Sequence, residues 1–123
     1  MASQLVLNLA SGSVSCGLSA TAARELQQQL NEIVQVLKAK TAATSGGGKS
    51  KPHQPIEYQY TGDVFLEIFC NPNIWANVFV AKVSITLRDD RIRLSSEAEL
   101  TRIIEDVDRF VEQIGNKWIQ IKY

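Results

Sequence analysis

The chain has 123 residues, of which 45% are hydrophobic and 21% are charged, a composition typical of one globular domain. Thirteen lysines and arginines balance thirteen aspartates and glutamates, so the formal net charge at pH 7 is zero. This balance argues against a general binder of nucleic acid or of anionic membranes, because such proteins carry a basic excess.

Alternating residues at the N-terminus predict a β-hairpin over residues 4–18. Leu5, Leu7 and Leu9 share one face of the first strand, and residues 10–12 have the turn-forming sequence Ala-Ser-Gly. A short strand with the same alternation then completes the hairpin.

A first amphipathic helix is predicted from Ser19, the expected N-cap, to Lys40. Its apolar residues lie at spacings of three and four between Leu26 and Leu37, which places them on one face. Residues 41–55 contain three consecutive glycines and two prolines, so we interpret them as a flexible linker. A linker of this length within one domain is either mobile or functional.

Residues 56–70 predict a second hairpin, because apolar residues alternate on both sides of the turn-forming residues 61–63. Residues 77–88 predict a further strand with Phe79 on its continuous apolar face. The opposite face is also apolar at the start of this strand. We therefore expect the strand to be buried on both sides where it begins.

A two-residue turn at Asp89-Asp90 is predicted to connect this strand to the next one. Folding the chain there brings apolar residues opposite apolar residues and polar residues opposite polar ones. A one-residue slip would exchange the two faces of the strand, so the pattern specifies the register. The expected pairs are Leu87 with Ile92, Ile85 with Leu94 and Thr86 with Arg93.

The C-terminal part predicts a second helix and a final strand. Ser96–Glu99 fits a capping box, which would begin the helix by satisfying its first backbone N–H groups. An apolar stripe from Leu100 to Ile114 forms the expected buried face, and Gly115 is placed to end the helix. The alternating segment Lys117–Tyr123 predicts the strand.

Together these elements predict an α+β fold with two layers. About five to seven short strands form a mainly antiparallel sheet, because short turns connect them, and both helices pack on one face. A single domain spans residues 1–123. It contains an N-terminal hairpin and helix (4–40), the linker (41–55) and a β-rich core with the C-terminal helix and strand (56–123).

Residue types that carry out catalysis or bind metals are sparse in this chain. The single histidine, His53, lies in the linker without an evident orienting partner. Residues 46–50 are similar to the end of a phosphate-binding loop, but Ala43 stands where that pattern needs a glycine. Cys16 and Cys70 are far apart and are interpreted as buried thiols. We expect no catalytic residue, no metal site and no cofactor.

Three groups of residues are candidates for contact with a protein partner. Aromatic side chains are frequent in binding hot spots, although core packing is their simpler role. Arginines beside a turn can grip a phosphate or an acidic peptide, or can protect a sheet edge from aggregation. The second helix carries acidic residues that form either a solvated face or a docking surface for a basic segment, namely Glu105, Asp106, Asp108 and Glu112. The candidates are Tyr58, Tyr60, Phe65, Phe69 and Trp75 (aromatic), Arg88, Arg91 and Arg93 (basic), and Glu105, Asp108 and Glu112 (acidic).

The sequence favours a small, non-enzymatic protein-interaction module that forms a homodimer and acts as an adaptor, assembly factor or chaperone-like accessory protein. One alternative is a ligand-binding or enzyme-accessory domain with a pocket between sheet and helices. Another is a weak nucleic-acid contact through the linker lysines and the hairpin arginines. The N-terminus lacks the basic region of a signal peptide, and no apolar run reaches the length of a membrane span. We therefore expect a cytoplasmic protein without a membrane partner.

Overall fold

The computed structural model describes residues 4–45 and 52–122, with side chains for residues 4–42 and 52–115. A short 3₁₀ turn at Pro72–Ile74 lies between the fourth and fifth strands of these ranges. The other elements are β1 (Gln4–Leu9), β2 (Gly12–Gly17), α1 (Ala20–Ser45), β3 (Ile56–Thr61), β4 (Phe65–Cys70), β5 (Lys82–Arg88), β6 (Arg93–Glu99) and α2 (Leu100–Lys122).

The strands form two antiparallel sheets. β1 pairs with β2, and the other four strands follow the order β3-β4-β5-β6. α1 contacts α2 and β3, while α2 contacts β1 and β6. The predicted α+β class is therefore confirmed, and the strands of the described ranges are divided between two sheets instead of one.

Both predicted early hairpins are present. β1 and β2 join through Ala10-Ser11, with Leu9 opposite Gly12. β3 and β4 join through residues 62–64, where the Gly62 N–H donates to the Val64 carbonyl over 3.0 Å. In each hairpin one face carries the buried side chains, as the period of two in the sequence requires.

Helix α1 begins as predicted but ends later. The Ser19 hydroxyl accepts a hydrogen bond from the Ala22 N–H over 3.1 Å, which is the expected N-cap geometry. The helix continues to Ser45, so the prediction that the linker begins at residue 41 was wrong. Two alanines at 43 and 44 favour helix, and the Thr41 hydroxyl donates to the Leu37 carbonyl one turn earlier. Residues 46–51 of the predicted linker lie outside the described residues.

The start of β5 and its pairing with β6 also differ from prediction. β5 begins at Lys82, and Phe79 lies in a turn with 84% of its surface exposed, so the expected strand start buried on both sides was wrong. Leu87 lies opposite Leu94, which shifts the predicted register by two residues. The Asp89 carboxylate accepts from the Arg91 and Ile92 N–H groups over 2.8 Å each, and this bonding favours a four-residue loop. An even shift keeps the same faces inward.

The predicted capping box at Ser96–Glu99 was wrong as well. These residues complete β6, where Ala98 pairs with Val83 and Glu99 pairs with Lys82. Helix α2 starts at once with Leu100, whose N–H donates to the Ala81 carbonyl over 3.0 Å. Backbone hydrogen bonds therefore satisfy N–H groups that side-chain caps would otherwise have satisfied.

The C-terminal strand predicted at Lys117–Tyr123 was also wrong, because α2 continues to Lys122. Gly115 does not end the helix, although a glycine inside a helix costs about 1 kcal/mol relative to alanine. The sequence spacing explains the error. Ile114, Trp118 and Ile121 lie four and three residues apart, so an alternating segment also extends a helical stripe.

One buried carboxylate connects the N-terminal hairpin to the C-terminal helix. Asp106 is only 3% exposed, which contradicts its predicted place on a solvated face of α2. Its Oδ2 accepts from the Asn8 backbone N–H over 2.8 Å, and its Oδ1 accepts from the Asn8 side-chain Nδ2 over 2.9 Å. Arg102 Nε lies 3.8 Å and Arg109 Nη1 lies 4.0 Å from the same Oδ1. These partners compensate the buried charge.

The substitution Asp106→Ala is expected to lower the free energy of unfolding by about 3 kcal/mol, because it leaves two donors of Asn8 without an acceptor. Urea denaturation measures the loss. The matched control is Asp108→Ala on the exposed side of the same helix, which should change stability by less than about 1 kcal/mol. Equal losses of stability in the two variants would contradict the proposed contribution of the Asn8–Asp106 contact to stability.

Candidate protein-interaction surface

The connection between β4 and β5 presents three exposed apolar side chains. Ile74 is 67% exposed, Phe79 is 84% exposed and Val80 is 50% exposed. We call these three residues the apolar loop patch. Large apolar side chains with such exposure lose the hydrophobic stabilisation that burial would give them. Clusters of this kind on a protein surface mark binding sites for other macromolecules.

A lysine from α1 holds the first half of this connection. The Lys40 Nζ donates to the carbonyl oxygens of Trp75 over 2.7 Å, Asn73 over 2.9 Å and Pro72 over 3.4 Å. The ammonium group of lysine has three donors, and here it binds three carbonyls of one loop. The Ile74 side chain is therefore displayed from a backbone that is anchored to a helix.

Asparagine side chains fix the rest of the connection. The Asn77 Oδ1 accepts from the N–H groups of Phe79 over 2.9 Å and Val80 over 3.2 Å. The Asn71 Oδ1 accepts from the Asn73 N–H over 3.1 Å, at the start of the 3₁₀ turn. Asparagine favours such local turns over strand pairing. These turns thus set the backbone position of Phe79 without any contact of its ring with the core.

The end of the predicted linker is attached to the same connection. The His53 N–H donates to Asn73 Oδ1 over 2.8 Å, and Asn73 Nδ2 donates to the His53 carbonyl over 2.6 Å. His53 is half-buried and has a fixed backbone position, unlike the unrestrained residue that the sequence suggested. Its contacts are structural, since they position the chain before β3.

A groove lies beside the apolar loop patch, between α1 and α2. Its volume is about 600 Å³, and Gln27 Nε2 bridges the two helices by donating to Asp108 Oδ1 over 2.9 Å. Val78, the residue before Phe79, belongs to its wall. The apolar side chains that line the groove are Leu30, Val34, Val78 and Ile104, and Lys38 and Asp108 are among its polar lining residues.

The aromatic candidates from the sequence are dispersed. Tyr58 is buried and donates from its hydroxyl to the Ala22 carbonyl over 3.0 Å, and burial together with the nearby Glu25 raises its pKa to about 12. Tyr60 and Trp75 are partly buried against the core, so each has a packing role. The remaining two, Phe65 and Phe69, lie on the face of the four-stranded sheet that points away from the core residues of β4.

The charged candidates occupy two separate places. Arg88 and Arg93 lie opposite each other at the end of the β5–β6 hairpin, and Arg91 lies in its exposed loop. The Arg88 guanidinium stands 4.4 Å from the centre of the Phe65 ring. The exposed acidic candidates on α2 are Glu105, Asp108 and Glu112.

Sequence reasoning missed Phe79 as a surface residue. It placed Phe79 on a buried strand face, because the alternation that begins there continues without interruption into β5. The available signal was Asn77, which stands before three apolar residues and favours a turn stabilised by its own side chain.

Other chemistry finds little support in the described residues. They contain no group of three or more His, Cys, Asp or Glu side chains able to hold a metal ion. Cys16 and Cys70 are free and buried, and burial raises the pKa of each thiol, to about 11 for Cys70. No helix among the described residues is long and apolar enough to cross a membrane.

Comparison with known proteins gives no identification. The sequence matches no family model, and no curated protein and no solved structure shows significant similarity to it. Function must therefore be argued from the surface itself.

Replacing Lys40 by methionine is expected to loosen the 72–76 segment, because three carbonyls lose their common donor while the apolar stem is kept. Amide hydrogen exchange and limited proteolysis of this segment should become faster. Lys38→Met removes the same charge from the same helix and serves as the control. If both variants exchange like the wild type, Lys40 does not hold the connection.

Proposed function

We propose that this chain is a non-enzymatic protein-interaction module that self-associates through its apolar loop patch. It would serve as an adaptor, assembly factor or chaperone-like accessory protein. The observation that carries the proposal is the 84% exposure of Phe79 on a backbone anchored by Asn77. Because its backbone is already ordered, Phe79 has only side-chain conformational entropy to lose when it binds, and large aromatic side chains make effective anchors in interfaces.

A second copy of the chain is the occupant that this surface fits best. The exposed Phe79 and the groove between α1 and α2 are adjacent, since Val78 lines that groove. Around a two-fold axis, each copy would insert its ring into the groove of the other. Such an isologous contact uses the same surface twice and closes into a dimer.

The charges beside the groove support the same arrangement. Lys38 lies on the α1 side and Asp108 lies on the α2 side. A two-fold axis across the groove sets α1 of one copy against α2 of the other, so Lys38 approaches the partner's Asp108. The attraction between Lys38 and the partner's Asp108 favours this arrangement, in which α1 faces α2, over one in which α1 faces α1.

A ligand-binding role is the second candidate, and one cleft favours it. A space of about 470 Å³ opens between β1 and β6, with Leu9 and Ala98 among its apolar lining residues. Lys82, Glu97 and Arg102 give it charges of both signs. A zwitterionic small molecule would suit this lining. Catalysis would further require an acid and a base on opposite sides of a bound substrate.

The substitution Phe79→Ser tests the main proposal. Truncating a central aromatic anchor costs about 2 kcal/mol of binding, and the symmetric dimer loses two such anchors, about 4 kcal/mol, so the dimer dissociation constant should rise roughly 1,000-fold. Sedimentation velocity over a concentration series measures it. At a concentration at which the wild type is monomeric, the melting temperature should stay unchanged, because the ring contributes little to the core of the monomer.

Ile92→Ser is the matched control, because Ile92 is 70% exposed and lies at the hairpin loop, outside the apolar loop patch. It should dimerise like the wild type. A wild-type chain that stays monomeric at its highest soluble concentration would contradict self-association. Equal weakening by both substitutions would show that exposed apolar surface in general, and not the patch, drives association.

A further inference from the structure

A second site is formed by two arginines on the outer face of the four-stranded sheet. Arg88 and Arg93 are directly opposite in the β5–β6 register and both are exposed. Like charges in such a cross-strand pair destabilise the sheet. Among the described residues, no carboxylate lies within ion-pair distance of either guanidinium. The pair therefore has a repulsion that a bound anion would relieve.

The position of one of these guanidinium groups is set in advance. Arg88 stands 4.4 Å from the centre of the partly buried Phe65 ring, which is a cation–π contact. Stacking on an aromatic face leaves the edge of the guanidinium, with its N–H donors, free for a planar acceptor. A shallow concavity of about 540 Å³ surrounds the pair, lined by Gln59, Phe65, Glu67, Thr86, Arg88 and Arg93.

Two carboxylates close to the pair, those of Glu67 and Asp89, have other hydrogen-bond partners. Glu67 accepts from the Gln59 side chain over 3.0 Å in the neighbouring cross-strand row. The Asp89 carboxylate accepts from the loop amides of Ile92 and Arg91, which lower the pKa of Asp89 and keep it charged at the turn. Neither group forms an ion pair with Arg88 or Arg93.

We propose that Arg88 and Arg93 bind an acidic segment of a partner protein, with one aspartate or glutamate carboxylate held between the two guanidinium groups. Bidentate bonds from arginine to a planar carboxylate are strong and directional. Thr86 adds a hydroxyl to the same concavity. Glu67 lines the same concavity, so the arginine pair accommodates one carboxylate at a time. This site is separate from the apolar loop patch.

Fluorescence anisotropy with a labelled hexaglutamate peptide at low ionic strength tests the site. The double variant Arg88→Gln/Arg93→Gln should weaken binding at least tenfold, and Phe65→Leu should weaken it several-fold by releasing the Arg88 guanidinium. Arg24→Gln removes one exposed positive charge from α1 and should leave binding unchanged, whereas the matched single variant Arg93→Gln should weaken it several-fold. The measurement is repeated in Phe79→Ser, which retains the arginine pair, so a failure of self-association does not affect this result.

Three results would overturn the inference. The first is an absence of hexaglutamate binding to the wild-type chain. The second is an equal loss in Arg93→Gln and in the Arg24→Gln control, which would indicate only a general charge effect. The third is tighter binding of a single-stranded oligonucleotide of matched charge, with the same dependence on Arg88 and Arg93, which would reassign the site to nucleic acid.

Discussion

The contact between Asn8 and Asp106 joins parts of the chain that are 98 residues apart, and the arrangement of the two sheets depends on it. β1 and β2 form their own small sheet, which needs a connection to the rest of the fold. Leu5 and Leu7 of β1 provide its apolar part in the core, and Asp106 provides its polar part by accepting both the backbone N–H and the side-chain amide of Asn8. The hydrogen bond from the Ala10 N–H to the Glu97 carbonyl, over 3.0 Å, continues the same junction to β6. A buried carboxylate with these partners favours one docking position for α2.

The surfaces that we assign to binding follow from that docking. When Asp106 fixes α2, Ile104 and Asp108 become one wall of the groove, and α1 forms the other. The same α1 holds the β4–β5 connection through Lys40, so the helices that bury the core also position Phe79. Core and surface are thus coupled: loosening either helix would move the ring relative to the groove.

The sequence predicted those features that depend on a local period. The stripes of both helices, the two early hairpins and the N-cap at Ser19 could be read from spacing, because burial of one face determines them. Features that depend on a competition between two local preferences could not be predicted from spacing. Asn77 turns the chain against a continuous strand pattern, β5 pairs with Ser96–Glu99 against a capping signal, and Asp89 bonds to its loop amides against a tighter turn. Asp106 was misjudged because a helix pattern does not reveal which neighbour covers a polar residue.

The apolar loop patch is the proposed contact between two copies of this chain. Hydrogen–deuterium exchange of the wild-type chain at high and low protein concentration tests it most directly. The account predicts added protection at high concentration in residues 74–80 and in the part of α1 that lines the groove, with the amides of β3 and β4 unchanged. Protection confined to the four-stranded sheet, or no change with concentration, would contradict it.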